Sequence, residues 1–116
     1  MSTRGVNGMD KLTDIIANGL MHRHARLQID EGRIIAYAYI ILGRESKSMI
    51  GNPITPPDGY LDSTVGLDFL DNPSGIKEFC KNLIGLGFLL EHPDQRQMVR
   101  ISPELIPECT SCLPHV

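Results

Sequence analysis

The stretch Asp71–Leu105, DNPSGIKEFCKNLIGLGFLLEHPDQRQMVRISPEL, decides the fold. It opens on Asp71-Asn72-Pro73, a helix-start signal. Asn72 is placed to accept a hydrogen bond from first-turn amides, and Pro73 suits the first helical position, where its missing N–H costs nothing. Ile76, Phe79, Cys80, Leu83 and Leu86 then recur at helical spacing and define an inner face. Ser74, Lys77, Glu78, Lys81 and Asn82 fall on the opposite face. Gly87 is the stop. Phe88 to Glu91 reads as a strand, HPDQRQ as a turn nucleated by Pro93-Asp94, and Met98 to Ile101 as the returning strand. The pattern therefore predicts a helix over 73–86 and a hairpin over 88–101.

Working outward from that unit, Leu12, Ile15, Ile16 and Leu20 form one helical stripe, predicting a helix from Asp10 to about Arg26. Asp30 is expected to cap the next helix, with Glu31 in its first turn, where the dipole favours negative charge. IIAYAYIIL follows, apolar on nearly every side, so this helix should be central and end at Gly43. Arg44 to Gly59 is a Ser-, Gly- and Pro-containing connector, in which Met49 to Thr55 could pair as an edge strand. Tyr60 to Leu70 offers Leu61, Val65, Leu67, Phe69 and Leu70, a short helix at best. The expected organisation is a flexible N-terminus over 1–9, a domain over 10–105, and a proline-interrupted tail over 106–116 that carries Cys109 and Cys112.

The totals narrow the class. A chain of 116 residues suits one domain, and 41% apolar with 22% charged residues is ordinary for a globular protein. A net charge of −3 gives no global basic field, so any nucleic-acid contact would rest on a local patch. There is no Trp, and aromatics are few, which argues against sugar platforms and base-stacking grooves. The longest apolar run, Ile34 to Leu42, is about half of the roughly 20 residues a membrane span needs. MSTRGVNGMD has no signal-peptide core, so a cytoplasmic location is expected. Three cysteines, an odd number, do not form a disulfide framework.

Helix, turn, helix and β-hairpin, mainly α with a small β-hairpin, is the layout of a winged helix-turn-helix. An α-helix fits the major groove of B-DNA, where base pairs are distinguishable. A hairpin beside it can carry a basic side chain to phosphate or the minor groove. Leu83, Leu86, Gly87, the apolar Phe88–Glu91, the turn with Pro93-Asp94 and Arg96, Met98–Ile101 and the Ser102-Pro103-Glu104 start together resemble the recognition helix and wing of MarR-type transcriptional regulators. Leu27 to Leu42 is similar to the helix leading into that family's reading unit. The resemblance implies sequence-specific binding of double-stranded DNA by a homodimer. Ser74, Lys77, Lys81 and Asn82 on the recognition helix and Arg96 and Arg100 on the wing would contact the duplex.

Some features depart from that pattern. The 106–116 tail has no counterpart of the family's long dimer-building helices, so a dimer would use Asp10 to Arg26 or the wing side. Asp58, Asp62, Asp68 and Asp71 lie in a segment with no Lys or Arg from Thr55 to Ile76, and that run would repel a duplex it faced. These features favour an alternative of another class, a winged-helix protein-interaction module that serves as adaptor or antagonist of a regulator.

Other chemistry-bearing residues have plainer readings. His22-Arg23-His24-Ala25-Arg26 is the exposed end of a helix, and two histidines at i and i+2 diverge too far to share a metal. Cys109-Thr110-Ser111-Cys112, with His115 nearby, supplies too few ligands for a structural zinc. Its proline-rich setting is also not that of a thioredoxin-like motif. Cys80 sits on the inner stripe as a small core residue. Tyr37 and Tyr39 occupy different faces of the central helix, and one could line a ligand pocket at a dimer seam. No phosphate-cradling glycine loop, nucleophile elbow or HExxH occurs. Neither a cofactor, a metal nor an enzymatic activity is expected.

Overall fold

The structure, a computed structural model, describes residues 8–40, 60–64 and 67–113. The expected Gly43 stop, the edge piece Met49–Thr55 and Asp58 lie outside the described residues. Within them, helices α1 (Gly8–Arg23) and α2 (Ile29–Tyr39) precede a short strand β1 (Leu61–Asp62). A 3-10 turn over Pro73–Gly75 runs into α3 (Ile76–Gly85), and β2 (Leu89–Glu91) and β3 (Met98–Ile101) form the hairpin. A second 3-10 turn over Pro103–Leu105 leads into α4 (Ile106–Ser111). The molecule is thus mainly helical, with a small antiparallel sheet of three strands in the order β1-β3-β2.

The third strand is the chief departure from the sequence reading. Tyr60–Leu70, expected as a short helix, instead supplies β1, which pairs Leu61 with Val99 and Asp62 with Met98. Leu67–Leu70 is a turn closed by a bond from Leu70 N–H to the Leu67 carbonyl at 3.1 Å. Two residues suffice for β1 because β3 offers an unpaired edge, and the pairing satisfies backbone groups that would otherwise be buried alone.

Helix α1 packs on α2 through a face turned slightly from the expected stripe. Ile16 and Leu20 are fully buried, but Ile15 is 38% exposed, while Thr13 and Ala17 take its place inside. The close approach depends on Gly32, where an added Cβ would lie 3.1 Å from the Ala17 carbonyl oxygen. The helix stops at Arg23, short of Arg26; the His24 N–H still reaches the Leu20 carbonyl at 2.8 Å, and Leu27 folds inward. Ile34, Ile35, Ala36 and Ala38 of α2 are completely buried, as its near-continuous apolar run implies.

Two expected caps are corrected. Gln28, not Asp30, is the N-cap of α2, and Glu31 Oε1 accepts the Gln28 backbone N–H at 2.9 Å. Asp30 is buried two positions further in and reaches across to the start of the α3 segment. Its carboxylate accepts the backbone N–H of Asp71 at 2.8 Å and that of Asn72 at 2.9 Å. Asn72 does not cap the helix through its side chain; its Oδ1 accepts the Ser74 hydroxyl at 3.0 Å. The carboxylate that the sequence placed at its own helix end therefore fixes where the next helical segment begins.

The α3 unit follows the sequence closely. Ile76, Cys80 and Leu83 are buried, Phe79 and Leu86 half-buried, and Ser74, Lys77, Glu78, Lys81 and Asn82 all exposed. Gly87, at φ +83°, ends the helix in a Schellman motif: Phe88 N–H bonds the Leu83 carbonyl at 2.9 Å, and Gly87 N–H that of Ile84 at 3.0 Å. The tail segment folds back as α4. Cys109 is fully buried, Tyr39 Oη meets Thr110 Oγ1 at 3.1 Å, and His24 Nε2 pairs with Glu108 Oε1 at 2.7 Å.

Candidate nucleic-acid interface

Pairing β1 with β3 has a direct consequence for the surface. One residue beyond Asp62↔Met98, the Ser63 backbone N–H bonds the Gln97 carbonyl at 2.7 Å, which draws the 63–64 turn against the hairpin. Between that turn, the hairpin tip and the outward face of α3 lies a groove of about 520 Å³. Lys77 and Lys81 line it from the helix, and Arg96 lines it from the hairpin turn. Glu78 and Glu91 stand among them, and Ser63, Thr64 and Gln97 add hydrogen-bonding groups. The balance is three cations against two carboxylates, so positive charge prevails locally on a chain of net charge −3.

The helix spacing accounts for the lysines. Lys77 and Lys81 are separated by four residues and share a face. Arg96 is held by the turn that contains Pro93-Asp94. The His92 imidazole braces that turn, with Nδ1 accepting the backbone N–H of Asp94 at 3.0 Å and of Gln95 at 3.2 Å. The His92 N–H itself bonds the Met98 carbonyl at 2.8 Å, and its ring meets the Tyr60 ring edge-on at 4.8 Å.

Of the residues singled out from sequence, Lys77, Lys81 and Arg96 come together here. Ser74 is exposed and borders an adjoining hollow with Lys77. Asn82 turns the other way, its Nδ2 lying 3.4 Å from Glu31 Oε2 on α2. Arg100 does not line the groove described by these residues. It lies beside Tyr60 on the sheet, with its guanidinium carbon 5.8 Å from the ring centroid and its buried Nε meeting no hydrogen-bond partner among the described residues. Sequence reasoning misses Ser63 and Thr64, which the β1–β3 pairing brings to this place, and Glu91 and Gln97, which the hairpin itself sets beside Arg96.

The acidic run is partly absorbed within the molecule. Asp62 Oδ1 accepts both the backbone N–H of Thr64, at 2.8 Å, and its hydroxyl, at 2.6 Å. Asp71 pairs with Arg33 at 3.0 Å, and Arg33 also meets Asp14 at 2.8 Å and Asp30 at 3.1 Å. Burial works against the Arg33 charge, but the hydrogen bonds to Asp14 and Asp71 outweigh it and raise its pKa.

The cysteines sit apart from the groove. Burial pushes the Cys80 thiol up to about 12; burial, reinforced by Cys112 and Glu108, does the same to Cys109. Cys112 is raised too, chiefly by burial, with Arg23 pulling the other way. Thiols held protonated are poor nucleophiles. No group of three or more His, Cys, Asp or Glu among the described residues is placed to hold a metal ion. Among those residues, no helix is long and apolar enough to cross a membrane.

No protein-family model, curated protein or solved structure matches this chain.

Proposed function

We propose that the chain is a winged helix-turn-helix whose groove between α3 and the hairpin binds double-stranded DNA, with α3 as the reading helix and β2–β3 as the wing. The observation that carries this reading is the convergence of Lys77, Lys81 and Arg96, from two separate elements, on one groove. The strand order β1-β3-β2 supports it, since β1 anchors the wing beside the helix. The first helix of the reading unit is reduced to the Leu67–Leu70 turn among the described residues, and the buried Asp30 takes over its task of setting the α3 start. Regulation of transcription as a homodimer is the role such a reader would serve, two copies matching a two-fold site.

Fluorescence anisotropy with mixed-sequence duplex DNA tests the reading. Three groove cations per copy set a salt slope near −2.7, about a fortyfold loss of affinity per copy between 50 and 200 mM salt. Lys77→Glu and Arg96→Glu should each abolish the low-salt signal, while Arg26→Glu, at an exposed residue outside the groove lining, should not. A second reading, a protein-interaction module, draws on Leu90, 43% exposed on the sheet beside Arg100. Absence of duplex binding at 50 mM salt or below would favour it.

A further inference from the structure

The groove makes no use of Cys109-Thr110-Ser111-Cys112, which lies on α4. Cys109 is fully buried, and Cys112 is half-buried at the helix C-cap with helical backbone angles. Helical backbone therefore runs unbroken from one cysteine to the other, and the Cys112 N–H meets the Cys109 carbonyl at 3.0 Å. A helical spacing of three residues sets the two Cα atoms about 5 Å apart on one face. That falls inside the roughly 4.4–6.8 Å that a disulfide spans. The two thiols are also near enough for charge on Cys112 to act on Cys109.

Cys112 is seated in a notch on α1. A Cβ added at Gly19 would collide with Cys112 Sγ and lie 3.0 Å from Cys112 Cβ. Glycine inside a helix is destabilising relative to alanine, and here the missing side chain makes room for the sulfur. Bonds on either side of Cys109 hold α4 in place: Glu108 to His24 at 2.7 Å and Thr110 to Tyr39 at 3.1 Å.

We propose that Cys109 and Cys112 are a redox-active dithiol that closes to a disulfide, and that closure draws the Cys112 sulfur out of its notch at Gly19, making the α1–α4 contact redox-sensitive. The oxidant class is a low-molecular-weight disulfide. The Cys112 thiolate attacks one of its sulfurs, forming a mixed disulfide and releasing one small thiol. Cys109, deprotonated in turn, attacks the Cys112 sulfur and expels the second. The two protein thiols give up two protons and two electrons, and the small disulfide takes them up as two thiols. Cys112 is the entry point because it is the more exposed and because the Arg23 charge favours its thiolate. Burial keeps both thiols largely protonated, so exchange is slow at neutral pH and quickens as pH rises.

The test equilibrates the full folded chain with mixtures of reduced and oxidised glutathione, followed by acid quench and peptide mass mapping. The expected product has lost two hydrogens, with the bond mapped between Cys109 and Cys112 and Cys80 still a thiol. Cys112→Ser should block it. Cys109→Ala should stop the reaction at a glutathione adduct on Cys112. Gly19→Ala crowds the dithiol but not the disulfide, so it should raise the equilibrium constant for oxidation by about tenfold, as overpacking of that size implies. In ¹H–¹⁵N correlation spectra of the parent, oxidation should shift the Gly19 amide and leave that of Gly85, on α3, in place.

A folded chain that stays reduced in mixtures that oxidise the urea-unfolded chain would overturn the proposal, as would a disulfide to Cys80. An oxidation constant unchanged by Gly19→Ala, with the Gly19 amide unmoved, would overturn the coupling to α1.

Discussion

Asp30 illustrates how one side chain sets the position of the helix that follows it in the fold. A carboxylate at the start of a helix is expected to serve that helix, but this one is 4% exposed and spends its oxygens on the Asp71 and Asn72 amides and on Arg33. Buried amides stripped of their acceptor cost about 1–3 kcal/mol each, and a buried ion pair broken on one side costs more. Asp30→Ala should therefore lower unfolding free energy by about 3 kcal/mol in urea titrations, and Asp30→Asn, which keeps one acceptor oxygen, by less. Arg100 makes the opposite case. Its Nε is buried with no partner among the described residues, and its guanidinium lies beside the Tyr60 ring, so this side chain contributes by packing there. Arg100→Met should leave the unfolding free energy, measured by urea titration, within about 0.5 kcal/mol of the parent. It should also change duplex affinity far less than Arg96→Ala does, since Arg96 faces the groove.

Among the elements, α3 and the hairpin behave as a unit because the joint between them is tightly specified. The Schellman closure at Leu83–Phe88 turns the chain out of the helix and straight into β2, and it requires Gly87 at φ +83°. A side chain in that left-handed conformation costs about 1–2 kcal/mol. Gly87→Ala should lower stability by that amount, measured by urea unfolding, yet leave duplex affinity unchanged well below the midpoint, where the fold is intact. The joint was legible in sequence because periodicity, a Leu-Gly stop and a turn cluster are local signals. So was the separation of Lys77 and Lys81 from the buried face of α3. Strand β1 was not legible: Leu61–Asp62 is two residues long and owes its conformation to a partner 36 or more positions away. Missing β1 hid Ser63 and Thr64 from the candidate site; the role of His92 was hidden separately, because its acceptor nitrogen looks like that of any turn residue until the hairpin is closed. The Asn82 placement failed for a related reason: helical spacing gives the direction of a side chain, but not the buried Glu31 that waits for it on α2.

For the molecule as a whole, stability should depend on pH in a direction set by its buried thiols. Cys80 and Cys109 are 2% and 0% exposed, and burial raises both from 9.0 to about 12. The unfolded chain loses these protons near pH 9, whereas the folded chain holds them, so between the two values the unfolded state binds fewer protons and gains. Stability is thus fully present below about pH 9 and falls as pH rises toward 12, by up to about 1.4 kcal/mol per pH unit for each thiol. The core these thiols occupy joins α1, α2, α3 and α4, so the loss should appear as global unfolding rather than as fraying of one element. Urea titrations at pH 7.5 and 10.5, under reducing conditions, should show a clear drop in midpoint at the higher pH. The Cys80→Ala, Cys109→Ala double variant should start less stable, because two buried side chains are truncated, and should lose much less on going to pH 10.5. An equal drop in parent and variant would place the alkaline sensitivity in groups other than these thiols. In the native state at pH 7.5 a thiol-specific alkylating agent should modify Cys112, which is only half-buried, ahead of the other two, and removing the fully buried pair should leave that first modification unchanged.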